Sequence, residues 1–187
     1  MLFRSRTPLS WAAKNGHEEV VTVLLGVVSL WRQRDIVDLY ETDKWGKGPL
    51  HYAAENGHEV VAKLLLQDHK VDMNYMDKDG ATPLHWAAGN GQEAVVKLFL
   101  LDDRADVNRA DEESKTPLHW VARGGHEAVV KLFLQEDRVD VNRVDKYRAT
   151  PFHWATQIGH EAVVKLFLQE DRVDVNYADK SSATPLH

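Results

Sequence analysis

The amino-acid sequence predicts an all-α fold, a solenoid of stacked helix-turn-helix units with projecting hairpin loops. The first observation is a fixed period, because 34 residues separate each pair of successive prolines in the series Pro49, Pro83, Pro117, Pro151 and Pro185. The second is that every period contains two short helical patterns, and the apolar face of the second is too wide for one partner helix to cover. A period of roughly 20 to 50 residues with this property is typical of solenoids, in which each unit buries its apolar face against the next.

The prolines also divide the chain into units of a single domain, 1–187. Pro8 precedes Pro49 by 41 residues, so the first unit carries seven extra residues, which we place near positions 27–33. These residues either lengthen the second helix of that unit or form an irregular loop. In the first case, the end of the unit would be covered by Val27, Val28, Leu30 and Trp31. The predicted units are an incomplete first one with the insertion (1–42), four complete ones (43–76, 77–110, 111–144 and 145–178) and a partial one (179–187).

Each unit begins with a short helix, as the third unit illustrates. Thr82 is a typical N-cap residue, and Pro83 takes the first helical position, where proline is favoured. Gly91 follows this helix and suits the left-handed conformation that ends many helices. A second helix is predicted over 92–101, with apolar side chains on one broad face and a Glu–Lys pair on the other. The Asp and Asn residues after it predict an extended segment and a turn, which form a hairpin-like connection to the next unit.

The turn of this connection has a different residue in early and late units. Glycine stands at one position as Gly46 and Gly80, whereas the equivalent residues later in the chain are Ser114, Arg148 and Ser182. Two structures are open. The later turns keep a positive φ, which costs roughly 1 kcal/mol for a residue other than glycine, or the turn changes type.

The strings that recur in the units are those of a known family. The third unit reads Thr-Pro-Leu-His-Trp-Ala-Ala over 82–88, and Asn-Gly-x-Glu-Ala-Val-Val-Lys-Leu and Asp-Val-Asn follow it. The sequence resembles ankyrin repeats over almost its whole length, and its Trp-rich, nearly identical units are most similar to arrays in large filamentous-fungal proteins, including NACHT-type receptor proteins. The resemblance implies antiparallel helix pairs, projecting hairpins, and a concave face made of hairpin tips and first helices. It also implies that the Thr and His of each unit join adjacent backbone segments.

Composition and motifs argue against several classes of function. The chain has no cysteine, so disulfides, thiolate catalysis and cysteine-ligated zinc are excluded. The formal net charge of -6 disfavours nucleic-acid binding, and no apolar run is long enough to span a membrane. No nucleophile elbow and no phosphate-binding loop occurs, so we predict no enzyme activity and no cofactor. These features fit a cytoplasmic or a nuclear protein.

The ten histidines invite a catalytic or metal-binding interpretation. One column recurs once per unit, at a predicted spacing of about 10 Å between packed helices, whereas zinc needs ligands at about 2 Å. We therefore predict a structural role, and no shared metal, for His51, His85, His119, His153 and His187. Most of the other histidines open the second helices, where Gln92 replaces histidine in one unit, which indicates capping or packing.

The first helices carry an aromatic residue at the same position in all five units, and the residues three and four positions later share its face. The rings either pack between units or line a concave groove, where Trp and Tyr offer contact area and a polar edge; both roles are compatible. The hairpin tips add charges of alternating sign, which would discriminate between partners. The predicted partner-binding residues are Trp45, Tyr52, Glu55, Trp86, Asn90, Glu113, Trp120, Arg123, Tyr147, Arg148, Trp154 and Gln157.

The function that the sequence predicts is a protein–protein interaction module, or scaffold, that binds a protein partner through the concave groove and the hairpin tips. The alternatives are a structural spacer or a regulatory segment of a larger receptor-type protein, and a hydrolytic enzyme is the least favoured class. The fifth unit keeps a full apolar pattern, and residues 179–187 are too few to cover it with a helix pair. This unit therefore predicts self-association, or continuation of the natural protein.

Overall fold

A computed structural model describes residues 7–30, 41–68 and 71–186, apart from the side chains of 27–30. Within these residues the chain forms ten α-helices and no β-strand, which confirms the predicted all-α class. The helices are α1 (Pro8–Lys14), α2 (Glu18–Leu30), α3 (Pro49–Asn56), α4 (Glu59–Leu66), α5 (Pro83–Gly89), α6 (Glu93–Leu100), α7 (Pro117–Gly124), α8 (Glu127–Leu134), α9 (Pro151–Ile158) and α10 (Glu161–Gln169).

The first helix of a unit begins and ends at the predicted residues. Thr116, the residue before α7, has an extended backbone (φ -87°, ψ 168°), and Pro117 is the first helical residue. The helix ends where Gly125 takes a left-handed conformation with a φ of 73°, which glycine adopts without steric penalty. A helix of eight residues is too short to be stable alone in water, so its stability depends on packing against its neighbours.

The helices form two layers. The first helices of the five pairs pack against one another in chain order, and the second helices do the same in the other layer. The core lies between the layers, and three of its largest side chains, Leu118, Phe99 and Phe133, are at most 1% exposed. Each helix pair therefore buries its apolar face against the adjacent pairs, as expected for a solenoid.

The second helix of the first pair, α2, has 13 residues, whereas the other second helices have eight or nine. The backbone of residues 27–30 is helical, so the insertion lengthens this helix, and the alternative of an irregular loop is wrong for these four residues. The predicted cover over the end of the unit by the side chains of Val27, Val28, Leu30 and Trp31 lies outside the described residues.

A column of buried histidines joins neighbouring pairs. The N–H of Thr116 donates to Nδ1 of His119 (3.0 Å), which places the ring proton on Nε2, and Nε2 donates to the Ala149 carbonyl of the next hairpin (3.2 Å). Two other rings reach the following hairpin in the same way: His85 at the Lys115 carbonyl and His153 at the Ala183 carbonyl. The Thr and His of a unit thus join adjacent backbone segments, as the resemblance implied.

Burial lowers the pKa of His51, His85 and His119, because the charged imidazolium is disfavoured away from water. The pKa of His51 and that of His119 fall to about 4 from an ordinary value of 6.5, and the pKa of His85 is lowered for the same reason. The rings are therefore neutral at pH 7. Since both nitrogens of His119 are hydrogen-bonded, neither is available as a general base.

A second set of side chains, His58, Gln92, His126 and His160, precedes the second helices. Nε2 of His126 contacts the Gly89 carbonyl (3.0 Å), and Nε2 of Gln92 donates to the Glu55 carbonyl (3.2 Å). None of the four side chains caps its own helix. Each instead bonds a carbonyl at the end of the first helix of the preceding unit, so these side chains cap a neighbouring helix and pack between units.

The hairpin-like connections keep one turn type along the chain. Ser114 and Arg148 have φ values of 61° and 63°, close to the 76° of Gly80. The first of the two open structures, a positive φ at residues other than glycine, is therefore the one that the chain adopts. Neighbouring turns are also joined to each other, since the N–H of Glu112 donates to the Asp79 carbonyl at 3.1 Å.

Ser114→Gly and Arg148→Gly, made separately, are each expected to raise the free energy of unfolding by about 0.5–1 kcal/mol. A left-handed residue other than glycine costs roughly 1–2 kcal/mol, and the greater freedom of glycine in the unfolded chain offsets about 0.4–1 kcal/mol of that gain. Urea denaturation measures the change. The matched control, Gly80→Ala, should lower stability, because the added Cβ would lie 2.7 Å from the backbone nitrogen of Glu112. Lower stability in both glycine variants would contradict strain at these turns.

Candidate functional site

Three tryptophans from successive first helices line one groove. Trp86 of α5, Trp120 of α7 and Trp154 of α9 are all half-buried, and the groove beside them has a volume of about 460 Å³. Its other wall is formed by hairpin residues of the third and fourth units. We call this site the aromatic groove and define it by Trp86, Trp120, Trp154, Asp79, Glu112 and Glu113.

An aspartate in each hairpin holds the ring of the helix that follows. In the third unit, Oδ1 of Asp77 accepts the N–H groups of Asp79 (3.0 Å) and Ala81 (2.9 Å), and Oδ2 accepts Nε1–H of Trp86 (2.8 Å). One carboxylate therefore shapes the turn and fixes the edge of the ring. The same bond to Nε1 joins Asp111 to Trp120 (2.9 Å) and Asp145 to Trp154 (3.1 Å).

Sequence reasoning missed these aspartates as part of the site. The signal was present, because an aspartate precedes an aromatic residue by nine positions in four successive units. The four pairs are Asp43–Tyr52, Asp77–Trp86, Asp111–Trp120 and Asp145–Trp154. A constant spacing between a hydrogen-bond acceptor and an indole or phenol donor predicts a contact wherever the units share one backbone geometry.

The rings pack against each other and against lysines. The centroids of Trp86 and Trp120 are 5.3 Å apart in an edge-to-face arrangement. Nζ of Lys47 lies 3.1 Å from the centroid of Trp86, and Nζ of Lys115 lies 4.7 Å from that of Trp154. Contacts of this kind attract through the quadrupole of the ring. Each tryptophan therefore packs between units and also presents part of its surface to the groove.

The charges of the groove are unequal. Among its lining residues are four carboxylates, Asp79, Asp111, Glu112 and Glu113, and two cations, Lys115 and Arg123. Both cations lie near the Trp154 ring, with Cζ of Arg123 at 5.9 Å from its centroid. Glu113 hydrogen-bonds Lys146 and thereby raises the pKa of that lysine. Asp79 and Glu112 belong to the same units as Trp86 and Trp120, whereas Lys115 and Arg123 lie near Trp154. The end of the groove away from Trp154 is therefore the more acidic one.

Aromatic side chains also stand at two hairpin tips. Trp45 is 49% exposed, with Nζ of Lys44 at 4.1 Å from its ring centroid. Tyr147 is 52% exposed, and Cζ of the adjacent Arg148 lies 5.9 Å from the ring of Tyr177. The structure therefore places Trp45, Tyr147 and Arg148 at the surface, on hairpins on either side of the two that wall the groove.

Tyr52 takes a different position from the tryptophans. It is only 2% exposed, and its hydroxyl donates to the Asp43 carboxylate. The ring also lies near lysines, with Nζ of Lys47 at 5.7 Å and Nζ of Lys14 at 5.9 Å from its centroid. Tyr52 therefore offers almost no surface to a partner, unlike the tryptophans at the equivalent positions of the later units.

Three further predicted partner-binding residues, Glu55, Asn90 and Gln157, lie in or directly after the same first helices as the aromatic rings. Glu55 accepts a hydrogen bond from Lys47 at 2.9 Å, and Asn90 donates from Nδ2 to the Trp86 carbonyl at 2.8 Å. Gln157 is exposed at the end of α9. These side chains are accessible at least in part, so they can contribute polar contacts at the edge of the surface.

The part of the chain that the structure describes contains neither a metal-binding cluster nor a membrane-spanning helix. Over residues 7–30, 41–68 and 71–186, no three side chains of the His, Asp and Glu type come together in a way that could hold a metal ion. No helix in this part of the chain is both long and apolar enough to cross a membrane, and the longest has 13 residues.

The comparison with protein families agrees with this geometry. A family model described as ankyrin repeats (3 copies) matches residues 9–111 and again residues 100–179. No curated protein matches the chain. Ankyrin repeats generally mediate protein–protein interaction and are typically not enzymes. Because the matched ranges span most of the sequence, and because the helices stack in pairs as ankyrin units do, the chain belongs to the ankyrin-repeat family.

Proposed function

We propose that this chain is a protein-binding module whose recognition surface is the aromatic groove together with the exposed hairpin tips. The observation that carries the proposal is that three half-buried tryptophans line one groove. Tryptophan is enriched among the residues that dominate binding energy, because its ring offers a large contact area at a small cost in side-chain entropy. Core packing alone would not leave these rings at the wall of an open groove.

The way the rings are held also supports binding. Each indole is fixed at its Nε1–H by an aspartate, and two of the three are covered on one side by a lysine. A ring that is held before the partner arrives loses little conformational freedom on binding. The groove therefore has the property that recognition surfaces require, a contact area that is ordered in advance.

The hairpin tips add a charge pattern that favours specificity. Lys44 and Lys47 make one tip basic, Glu112 and Glu113 make another acidic, and residues 146–148 make a third basic again. Charges of alternating sign along a surface attract a complementary partner and repel others. We therefore expect one orientation and one register of a bound segment to be preferred.

The test is partner capture by single variants of the groove. Trp86→Leu, Trp120→Leu and Trp154→Leu keep an apolar side chain, and each should weaken capture of the partner at least about tenfold. The matched control is Leu101→Ser, since Leu101 is 85% exposed and lies in the layer of second helices, away from the groove. Binding is measured on variants that retain native circular dichroism. If folded groove variants capture the same proteins with the same affinity as the parent chain, the groove is not the recognition surface.

A second copy of the chain is a further candidate partner. Leu168 of α10 is 49% exposed, whereas the equivalent Leu134 of α8 is 9% exposed because the next helix pair covers it. A second copy could bury Leu168 in the same manner, and sedimentation equilibrium of the parent chain and Leu168→Gln distinguishes this from a monomer.

We also propose that the array serves as a regulatory segment of a larger receptor-type protein in the cytoplasm or nucleus. The identical sequence of α6 and α8, Glu-Ala-Val-Val-Lys-Leu-Phe-Leu, supports the likeness to fungal receptor arrays.

A further inference from the structure

One position of the hairpin faces the ring of the following unit. Lys47 lies over Trp86 and Lys115 lies over Trp154, and in both cases 39 residues separate the lysine from the tryptophan. The residue that stands 39 positions before Trp120 is Ala81. Trp86 and Trp154 therefore receive an ammonium group from their own chain at this position, whereas Ala81 supplies none to Trp120, whose ring packs edge-to-face against His85 and Trp86.

The residues that line the groove with Trp120 favour the binding of a cation from outside the chain. Asp79 and Glu112 line the same groove as Trp120 and belong to the two hairpins beside it. The two cations of the groove, Lys115 and Arg123, lie near the ring of Trp154 instead. An aromatic face next to carboxylates attracts a cation through the ring quadrupole and through Coulomb interaction.

We propose that a lysine or arginine side chain of a basic partner segment docks against the side of Trp120 that lines the groove, since Ala81 stands where Trp86 and Trp154 each have a lysine. This inference rests on the proposed binding function and specifies its partner, a segment of net positive charge whose cation lies between Trp120 and the carboxylates of Asp79 and Glu112. Charge complementarity selects this occupant. An acidic segment would be repelled by the carboxylates of the groove, and it would have no cation to place against the ring.

The experiment follows the indole Nε1–H signals of the ¹⁵N-labelled full chain by NMR, because each tryptophan gives a separate signal. The probes are two synthetic peptides on one Gly-Ser background, one with alternating Lys and Arg and the other with Glu in their place. The basic peptide should shift the Trp120 signal in a saturable way and shift Trp86 and Trp154 less. The acidic peptide should leave the Trp120 signal in place.

Variants at the lysine position test the geometry. Ala81→Lys supplies the missing cation and should weaken binding of the basic peptide about five- to tenfold. The matched control is Ala149→Lys, which adds the same charge at the equivalent position two hairpins further along the chain, outside the lining of the groove, and should bind as the parent chain does. Lys47→Ala removes the ammonium group from Trp86, so the Trp86 signal should begin to respond to the basic peptide. This gain of response keeps the test decisive even if Ala81→Lys fails to fold.

The outcomes separate this inference from the function on which it rests. Equal shifts of Trp120 with both peptides, or with the acidic peptide alone, would show binding in the groove and overturn the preference for a cation. Equal loss of affinity in Ala81→Lys and Ala149→Lys would overturn the site over Trp120. If neither peptide shifts any indole signal while the tryptophan variants still lose a captured partner, the groove binds proteins and the basic segment is not its ligand.

Discussion

Replacement of Phe133 by alanine is expected to lower the free energy of unfolding by about 3–5 kcal/mol, the usual cost of removing a fully buried phenylalanine. Phe133 is 0% exposed in α8, which packs between α6 and α10, so neighbouring helix pairs on both sides contribute to its surroundings. The cavity left by the ring would weaken two interfaces at once. Urea denaturation followed by circular dichroism measures the loss.

The position of Phe133 in the middle of the array also predicts a change in cooperativity. A solenoid folds as a unit only while each pair is stabilised by its neighbours, so a weak central pair should broaden the transition and lower its dependence on urea. The matched control is Leu101→Ala, because Leu101 is 85% exposed, and its cost should stay within about 0.5 kcal/mol. Similar losses for the two variants would contradict the described core.

Acidification is expected to destabilise the fold between about pH 6.5 and pH 4. Burial lowers the pKa of His51 and that of His119 to about 4, from an ordinary value of 6.5. Above pH 6.5 these rings are neutral in the folded and the unfolded chain, so their contribution is fully present. Below it the unfolded chain binds protons that the folded chain does not, and the free energy of unfolding falls by up to about 1.4 kcal/mol per pH unit for each ring. Near pH 4 the folded rings also become protonated, and this loss levels off.

Urea denaturation at several values between pH 7 and pH 5 measures this slope. The range avoids the carboxylates Glu136 and Glu170, whose pKa values are lowered by hydrogen bonds from Arg138 and Arg172 and which affect stability only at lower pH. His119→Gln removes one titrating ring. The free energy of unfolding of this variant should therefore change less steeply with pH, by up to about 1.4 kcal/mol per pH unit. The comparison of slopes separates this effect from any destabilisation that the substitution causes at every pH. An unchanged slope in His119→Gln would contradict the neutral buried ring.

Much of the fold could be predicted from the sequence because its determinants are local and repeated. Pro117 at the start of α7 and Gly125 after its end act within one turn of the helix, so their effect does not depend on the rest of the chain. The regular spacing of such residues then fixes the stacking. The conformation of Ser114 was left open because local preference opposes a positive φ, and the contact of Glu112 with the neighbouring hairpin at Asp79 helps to hold the turn in place.

The candidate site could be predicted only in part, because exposure depends on neighbours that the pattern does not specify. Tyr52 and Trp86 occupy equivalent positions, yet one is buried beside Lys47 and Lys14 while the other reaches the groove. The replacement of lysine by alanine between Lys47 and the equivalent Ala81 could not be interpreted from the sequence, because only the structure shows that Lys47 lies over the ring of Trp86. Sequence reasoning identified the tryptophans but not the carboxylates that orient them.

The bonds between Asp111, Trp120 and their counterparts in the other units have a kinetic consequence. Because each indole is already hydrogen-bonded to its aspartate before an encounter, a partner should need no slow rearrangement of the module to dock, and association rates should vary little among related ligands. Discrimination would then reside in how long each complex persists. Uncharged contacts beside the rings would then select the ligand mainly through the lifetime of the complex.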